Sequence, residues 1–401
     1  MLSILKDKRF RHLYFAQILA LHGTGLASIA LALMAFDFTG QNAALLLSSI
    51  FTIKMLAYVV VSPIAGAIAH KFNRKLYLII LDIIRALSAL ALFFVTEIWQ
   101  IYIIILFLQV SSAAFTPIYQ ATIPEILPDE DEYTRALSLS RIAYDIENII
   151  SAGVAGLILV SFSYNILFLG TVFGFLGSAV LLSSIILPKF VDIKDQNFLQ
   201  NITYGLKKFT KYPRLRGLFF INIVIASCGS MIIINTIIFV RFDLSLSEIS
   251  FPITMLAFGI GSILAALSVP KLLTIFSDKK LMLMGSFAIV LSFYTLALWI
   301  KFYDISWSAL IITWLISGIS YSCVLTPAGR IIRKSSNGSD FSQLYAAQFS
   351  LSHSCWLMMY PFSGWVMTRH GSFISLIAVG TIILLSTFVA YHLWEHDKTY
   401  K

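Results

Sequence analysis

The chain has 401 residues, 58% of them hydrophobic and 12% charged, with a mean hydropathy of +0.85. An ordinary soluble domain is about 45–50% apolar and about 25% charged, so this composition excludes one and points to the bilayer. The net charge of +9 fits basic loops on one side of a membrane better than a nucleic-acid face, and the scattered Cys228, Cys323 and Cys355 exclude a disulfide framework.

The basic start, MLSILKDKRFRHLYF, shows no small-residue cleavage site and leads into a retained first helix. A bilayer crossing needs roughly 20 apolar residues. Such stretches are expected near 13–36, 44–69, 76–96, 99–117, 138–161, 165–188, 217–240, 250–273, 279–300, 305–328, 344–368 and 372–393. The expected fold class is an all-α membrane protein with twelve transmembrane helices: a six-helix bundle over 1–188, a basic linker over 189–216 and a second bundle over 217–401. Lys and Arg concentrate in the N-terminal segment, the 2–3 loop, the linker and loops 8–9 and 10–11, which predicts both termini in the cytoplasm. The acidic 4–5 segment PEILPDEDEYTRA reads as a solvated turn, or as a partner for a basic loop. FNRKLYL at 72–78 and SDKKLML at 277–283 form a faint repeat 205 residues apart, as two parallel repeats about a membrane-normal axis would.

Polar residues inside apolar helices are costly and mark sites. His22 between Gly23 and the preceding leucine is a cavity-lining candidate, with Gly23 and Gly25 allowing close helix approach. Asp37 reads as a cap at the helix end or as a cation recruiter. Lys54 falls near mid-bilayer, as a substrate or coupling counter-charge or as half of a structural pair. Asp82 and Arg85 share a face of helix 3, as a gate or network or as a proton site. In RIAYDIENIIS, Asp145 and Glu147 point to different faces; Asp145 and Asn148 share one, Arg141 and Asp145 another, and one of the two carboxylates is a proton-carrier candidate. Helix 11 places Gln348, Ser352, Cys355 and Met359 along one face, with His353, Trp356 and Tyr360 beside it and Pro361 as a hinge. His353, Cys355 and Met359 are candidate soft-metal donors. His353 and Cys355 lie about 200° apart, so a metal would need further ligands from His22, Met34, Asp145, Glu147 or Cys323. Aromatic packing or an organic-substrate cavity explains the same residues. Arg330, Arg333 and Lys334 would anchor among headgroups or meet the acidic segment, and Trp99, Trp299 and Trp307 fall near outer boundaries.

The end of helix 2, PIAGAIAHKFNRK, resembles the loop 2–3 signature of the major facilitator superfamily. Gly66, Lys71, Arg74 and Lys75 stand at its glycine and basic positions, so the resemblance implies a gating loop. His70 replaces the aspartate that helps latch the outward-facing state, and Asn73 replaces a glycine. Asp82 and Arg85 resemble the DxxR of exporter branches; Pro117, Pro124, Pro128, Arg135, Ala136 and SAGVAGLIL resemble their helix 4–5 region, with Gly153 and Gly156 at close-packing positions. AYDIEN and AAQFSLSHSCWLMMYP are similar to a subgroup of efflux proteins with nickel-resistance-like members. The resemblance implies alternating access in a bacterial cytoplasmic membrane, driven by protons, with no cofactor and as a monomer. No GxxxxGK[ST], HExxH or GxSxG occurs, so neither an ATP site nor a hydrolase site is written in the chain. The leading expectation is export of a small amphiphilic organic solute, drug or siderophore; the alternative is a divalent metal ion such as nickel or iron. Nutrient uptake and a non-transporting receptor come after these.

Overall fold

The computed structural model describes residues 2–68, 73–187, 206–335 and 341–395; the side chains of Gly66, Arg141, Asp145 and Asn148, among others, fall outside that description. His70, Lys71 and the linker stretch 188–205 also lie outside the described residues. Every regular element described is helical: α1 Lys8–Thr39, α2 Ala43–Ile68, α3 Arg74–Phe93, α4 Ile98–Ile126, α5 Glu130–Leu159 and α6 Asn165–Ser183, then α7 Pro213–Ile237, α8 Ser250–Ile275, α9 Asp278–Phe302, α10 Trp307–Leu325, the short α11 Ala328–Ser335 and α12 Phe341–Glu395. A π-helical turn, Ile238–Asp243, extends α7. Its 32 residues make α1 about 48 Å long, more than the roughly 30 Å hydrocarbon core requires.

Among the described residues, nine stretches are long and apolar enough to cross a bilayer. Two of them, of 58 and 49 residues, are each more than twice the roughly 20 needed for one crossing. The 49-residue stretch breaks at Gly371, whose φ of 74° and ψ of −177° lie where essentially only glycine is found. Pro361 sits within helical backbone, so the break is at the glycine and not at the proline. Large apolar side chains such as Leu157, Phe173, Leu267 and Leu291 are exposed, as a lipid-facing surface requires.

Two helix ends depart from expectation. α4 continues through Pro117 and Pro124 to Ile126. The acidic segment is mostly helical, with a short turn left at 127–129: Asp129 caps α5 by accepting from the Glu132 N–H, the helix begins at Glu130, and Glu125 before the turn meets Arg74 of the basic 2–3 segment. Negative charge at a helix N-terminus meets the positive end of the helix dipole.

Contacts divide the chain into two units, Met1–Phe38 with Ile53–Lys194, and Thr39–Thr52 with Asp195–Lys401. In unit 1, α3 packs on α4 and α6. α1 crosses α6 where a methyl on Gly174 would come within 2.6 Å of the Leu19 carbonyl oxygen, so the glycine lets the two backbones touch. Gly153, by contrast, faces open space and makes no close approach. In unit 2, the almost wholly buried α7 packs along α12, α8 along α10, and α9 on α10 and α12. Polar pairs span these contacts: Asn222 and Gln348 exchange amide hydrogen bonds at 3.0 and 2.8 Å, and the Asn235 amide donates to Ser363 at 3.0 Å and Ser375 at 3.3 Å.

The faint repeat becomes concrete, with its register moved by one residue. Asn73 caps α3 by accepting from the Leu76 N–H, and Ser277 caps α9 by accepting from the Lys280 N–H. Arg74 follows its cap and pairs with Glu125 of α4 through two bonds of 2.5 and 2.6 Å. Asp278 follows its cap and pairs with Arg330 at 2.8 Å and Lys334 at 2.5 Å. Lys75 donates to the Ser183 carbonyl at the end of α6, and Lys279 to the Trp394 carbonyl near the end of α12. The same three-point staple recurs in both units with its ion pair inverted in sign. Arg330 and Lys334 converge on Asp278.

Candidate functional site

Unit 1 holds two sets of polar groups within its helices. In the first, Arg85 pairs with Asp82, and Ser178 of α6 donates to the other carboxylate oxygen at 2.7 Å. The Arg85 guanidinium lies 4.1 Å from the Phe115 ring centre and 4.6 Å from that of Phe175. Asp82 is wholly buried and Arg85 nearly so. A buried pair with both Asp82 oxygens taken and aromatic faces around the guanidinium ties α3 to α4 and α6, although the Arg85 Nε has no hydrogen-bond partner among the described residues. This is the network reading of Asp82 and Arg85.

The second set lies between α1, α2, α4 and α5. Gln17 is its hub: its Oε1 accepts from the Tyr119 hydroxyl at 2.8 Å and the Ser140 hydroxyl at 3.2 Å, and the same amide pairs with Tyr144. Glu147, one turn beyond Tyr144 and about two beyond Ser140 on α5, lies within the electrostatic reach of Lys54 on α2. Glu147 is seated on α1 at Gly25, where a methyl would stand 2.8 Å from its Oε1 and overlap Ser151. Lys54 and Glu147, 93 positions apart in sequence, come within electrostatic reach of each other. Asp145, Asn148 and Arg141 ride on the same helix, but their side chains are not described. His22 has a buried Nδ1 with no hydrogen-bond partner among the described residues.

The loop 2–3 residues split. Arg74 and Lys75 act inside unit 1 as the staple described above, with the Arg74 side chain only 1% exposed. Gly66 lies on α2. Asp37 is exposed in the last turn of α1.

In unit 2 the helix 11 candidates separate by face. Cys355 and Met359 are buried against Ala226 of α7, with Trp356 and Phe219 packed around them. His353 instead bonds the Phe349 carbonyl through Nδ1 at 2.8 Å and lays its ring 3.9 Å from that of Phe349. Trp356 fills the space above Gly229 and lies 5.1 Å from Tyr360, which in turn meets Phe51 at 5.2 Å. Among the described residues no three His, Cys, Asp or Glu side chains come together as a metal cage. Cys323 is buried in an apolar cluster with Ala265, Val269 and Leu281, and Met34 is buried on α1.

Sequence reasoning missed Gln17, Tyr119, Ser140, Tyr144 and Ser151. The signal was available for Gln17, a single amide deep in an apolar run. The others are hydroxyls, whose one polar atom leaves hydropathy nearly unchanged.

Buried ion pairs and polar hubs inside long apolar helices define a multi-spanning all-α membrane protein of two helical bundles. A family model described as transmembrane secretion effector matches residues 1–330, and the chain belongs to this family of the major facilitator superfamily. Macrolide efflux protein A of Streptococcus pyogenes is 24% identical over 206 residues, 49% of this chain and 50% of that protein. The uncharacterized MFS-type transporter YfiS of Bacillus subtilis is 28% identical over 151 residues, 38% of this chain and 36% of that protein. The chain thus spans about half, or less, of the length of the curated relatives it matches. Among solved structures, a POT family transporter in complex with thioalcohol conjugated peptide superposes with a TM-score of 0.77 at 12% identity, covering 97% of this chain and 96% of that one. The nucleoside transporter NupG gives 0.75 at 15% identity, covering 97% and 99%. At such identities the likeness shows the fold alone. The nickel-resistance-like subgroup gains no support from these matches.

Proposed function

We propose that the protein is a secondary active transporter, not an enzyme, that exports a small amphiphilic organic solute from the bacterial cytoplasm by alternating access. The chain then crosses the inner membrane twelve times as a monomer with both termini inside. The halves 1–188 and 217–401 rock about a central path, joined by the linker 189–216, and the proton gradient supplies the work. The observation that carries this reading is the Gln17–Tyr119–Tyr144 hub, with Glu147 beside it on α5 and Lys54 within electrostatic reach of that carboxylate, a charged and aromatic patch within an otherwise apolar bundle. Intramembrane charge that serves only packing is expensive, whereas a coupling or substrate site requires it. The relative named macrolide efflux protein A supports export of an organic solute over uptake.

The test is flux in proteoliposomes under an imposed pH gradient, with erythromycin, ethidium and Ni²⁺ offered separately and lumenal pH read alongside. Saturable movement of an organic probe against the proton gradient supports the reading. Ni²⁺ movement with organic probes inert replaces it by the metal alternative. Inert liposomes containing monodisperse protein, across all probes and both gradient directions, overturn it.

A further inference from the structure

We propose that Glu147 is the proton-binding carboxyl of unit 1 and that Ser151 is the partner it takes when protonated. The inference rests on the transport reading and names the device within that site.

Asp82 is poorly suited to exchange a proton. Its two oxygens are already taken by Arg85 and Ser178, and it is wholly buried. Glu147 has a different setting. Its described charge partner is Lys54, on another helix, and it is partly accessible. Ser151 follows one turn later on α5, and residues four apart on a helix share a face. Both side chains press on the same bare patch of α1 at Gly25. The Ser151 Oγ is buried and has no hydrogen-bond partner among the described residues. A buried hydroxyl without a partner is costly, and its persistence asks for a state in which it is met.

The chemistry of a carboxyl supplies that state. Ionised, Glu147 only accepts, and the Lys54 ammonium holds it. When it takes a proton from water the pair loses its attraction, and the new O–H becomes a donor. Ser151 Oγ then accepts that hydrogen bond beside Gly25. Release returns the same proton to water and the carboxylate to Lys54; Lys54 stays an ammonium throughout. Among the described residues, Tyr144, one turn earlier on α5, has Glu147, Tyr58 and Arg85 within its electrostatic reach. Lys54 is the cation that acts directly on Glu147. The seat needs glycine at position 25, because a methyl there would occupy the space of both side chains.

The experiment is a pH titration of the full chain in liposomes by infrared difference spectroscopy, following the C=O stretch of protonated carboxyls. The expected result is one titrating band that is lost in Glu147→Gln, displaced in Glu147→Asp and kept in Asp145→Asn. Ser151→Ala moves the band to higher frequency through loss of the hydrogen bond, and Ser151→Thr restores it. A band that survives Glu147→Gln, or that disappears in Asp145→Asn alone, overturns the assignment. A band that Ser151→Ala leaves unmoved overturns the partner exchange. If Glu147→Gln is not monodisperse, the Glu147→Asp and Ser151→Ala spectra decide the matter alone. An intact, Glu147-dependent band in liposomes that move no probe overturns the transport reading and leaves this one standing.

Discussion

Gly371→Ala tests how the long C-terminal helix is broken. Gly371 has φ 74° and ψ −177°, and a methyl added there would meet nothing within 4 Å. The cost is therefore conformational and not steric, about 1–3 kcal/mol for holding a residue with a Cβ in that region. The break also aims Ser372, which donates to Asp243 at the end of the π-helical turn after α7. Relaxing Gly371 toward helix would pull that hydroxyl away and add to the loss. Gly153→Ala is the matched control: it is helical, faces open space, and gains up to about 1 kcal/mol of helix propensity. Thermal unfolding of purified protein in one detergent should show Gly371→Ala melting a few degrees below the parent and Gly153→Ala at or above it. Equal melting of Gly371→Ala and parent would refute the argument, since the added methyl meets nothing within 4 Å and so gains no contact that could offset the strain.

Glu125→Gln should cost about 1.5–3 kcal/mol, because it removes the charge that accepts two bonds from Arg74, 1% exposed, while Arg74→Ala with Glu125→Gln together costs less than the sum of those two single changes; melting of the four proteins in the cycle checks this. Asp278→Asn should cost less than Glu125→Gln in the same assay, because Arg330 and Lys334 are 53% and 43% exposed and stay hydrated. Trp314→Phe removes the 2.7 Å bond from Nε1 to Thr236, whose own hydroxyl still donates to the Ile232 carbonyl, so the loss should be about 0.5–1.5 kcal/mol by chemical denaturation. Cys228, Cys323 and Cys355 are buried, so native protein should label with maleimide far more slowly than unfolded protein, and a fast-labelling cysteine would contradict the packing of its helix.

Several features were fixed by the chain alone. Apolar run length set the membrane class and most helix positions, because the cost of an exposed peptide group in hydrocarbon depends only on local sequence. The basic segments and the loop 2–3 motif were equally legible, as was the value of Gly23 and Gly25 for close approach. Tertiary structure decided which groups meet. Arg74 finds Glu125 across 51 residues, Gln17 finds Tyr119 across 102, and Lys54 comes within electrostatic reach of Glu147 on another helix. These meetings depend on how each helix is rotated about its axis. A helix apolar on all sides carries no amphipathic stripe to report that rotation. The helix 11 residues show the same limit: spacing placed Cys355 and Met359 on one face, but only packing against α7 made that face a core. The acidic segment was legible in part: a short turn stays at 127–129 and Glu125 meets Arg74, while Asp129 as a cap and the dipole of α5 made the rest the start of a helix.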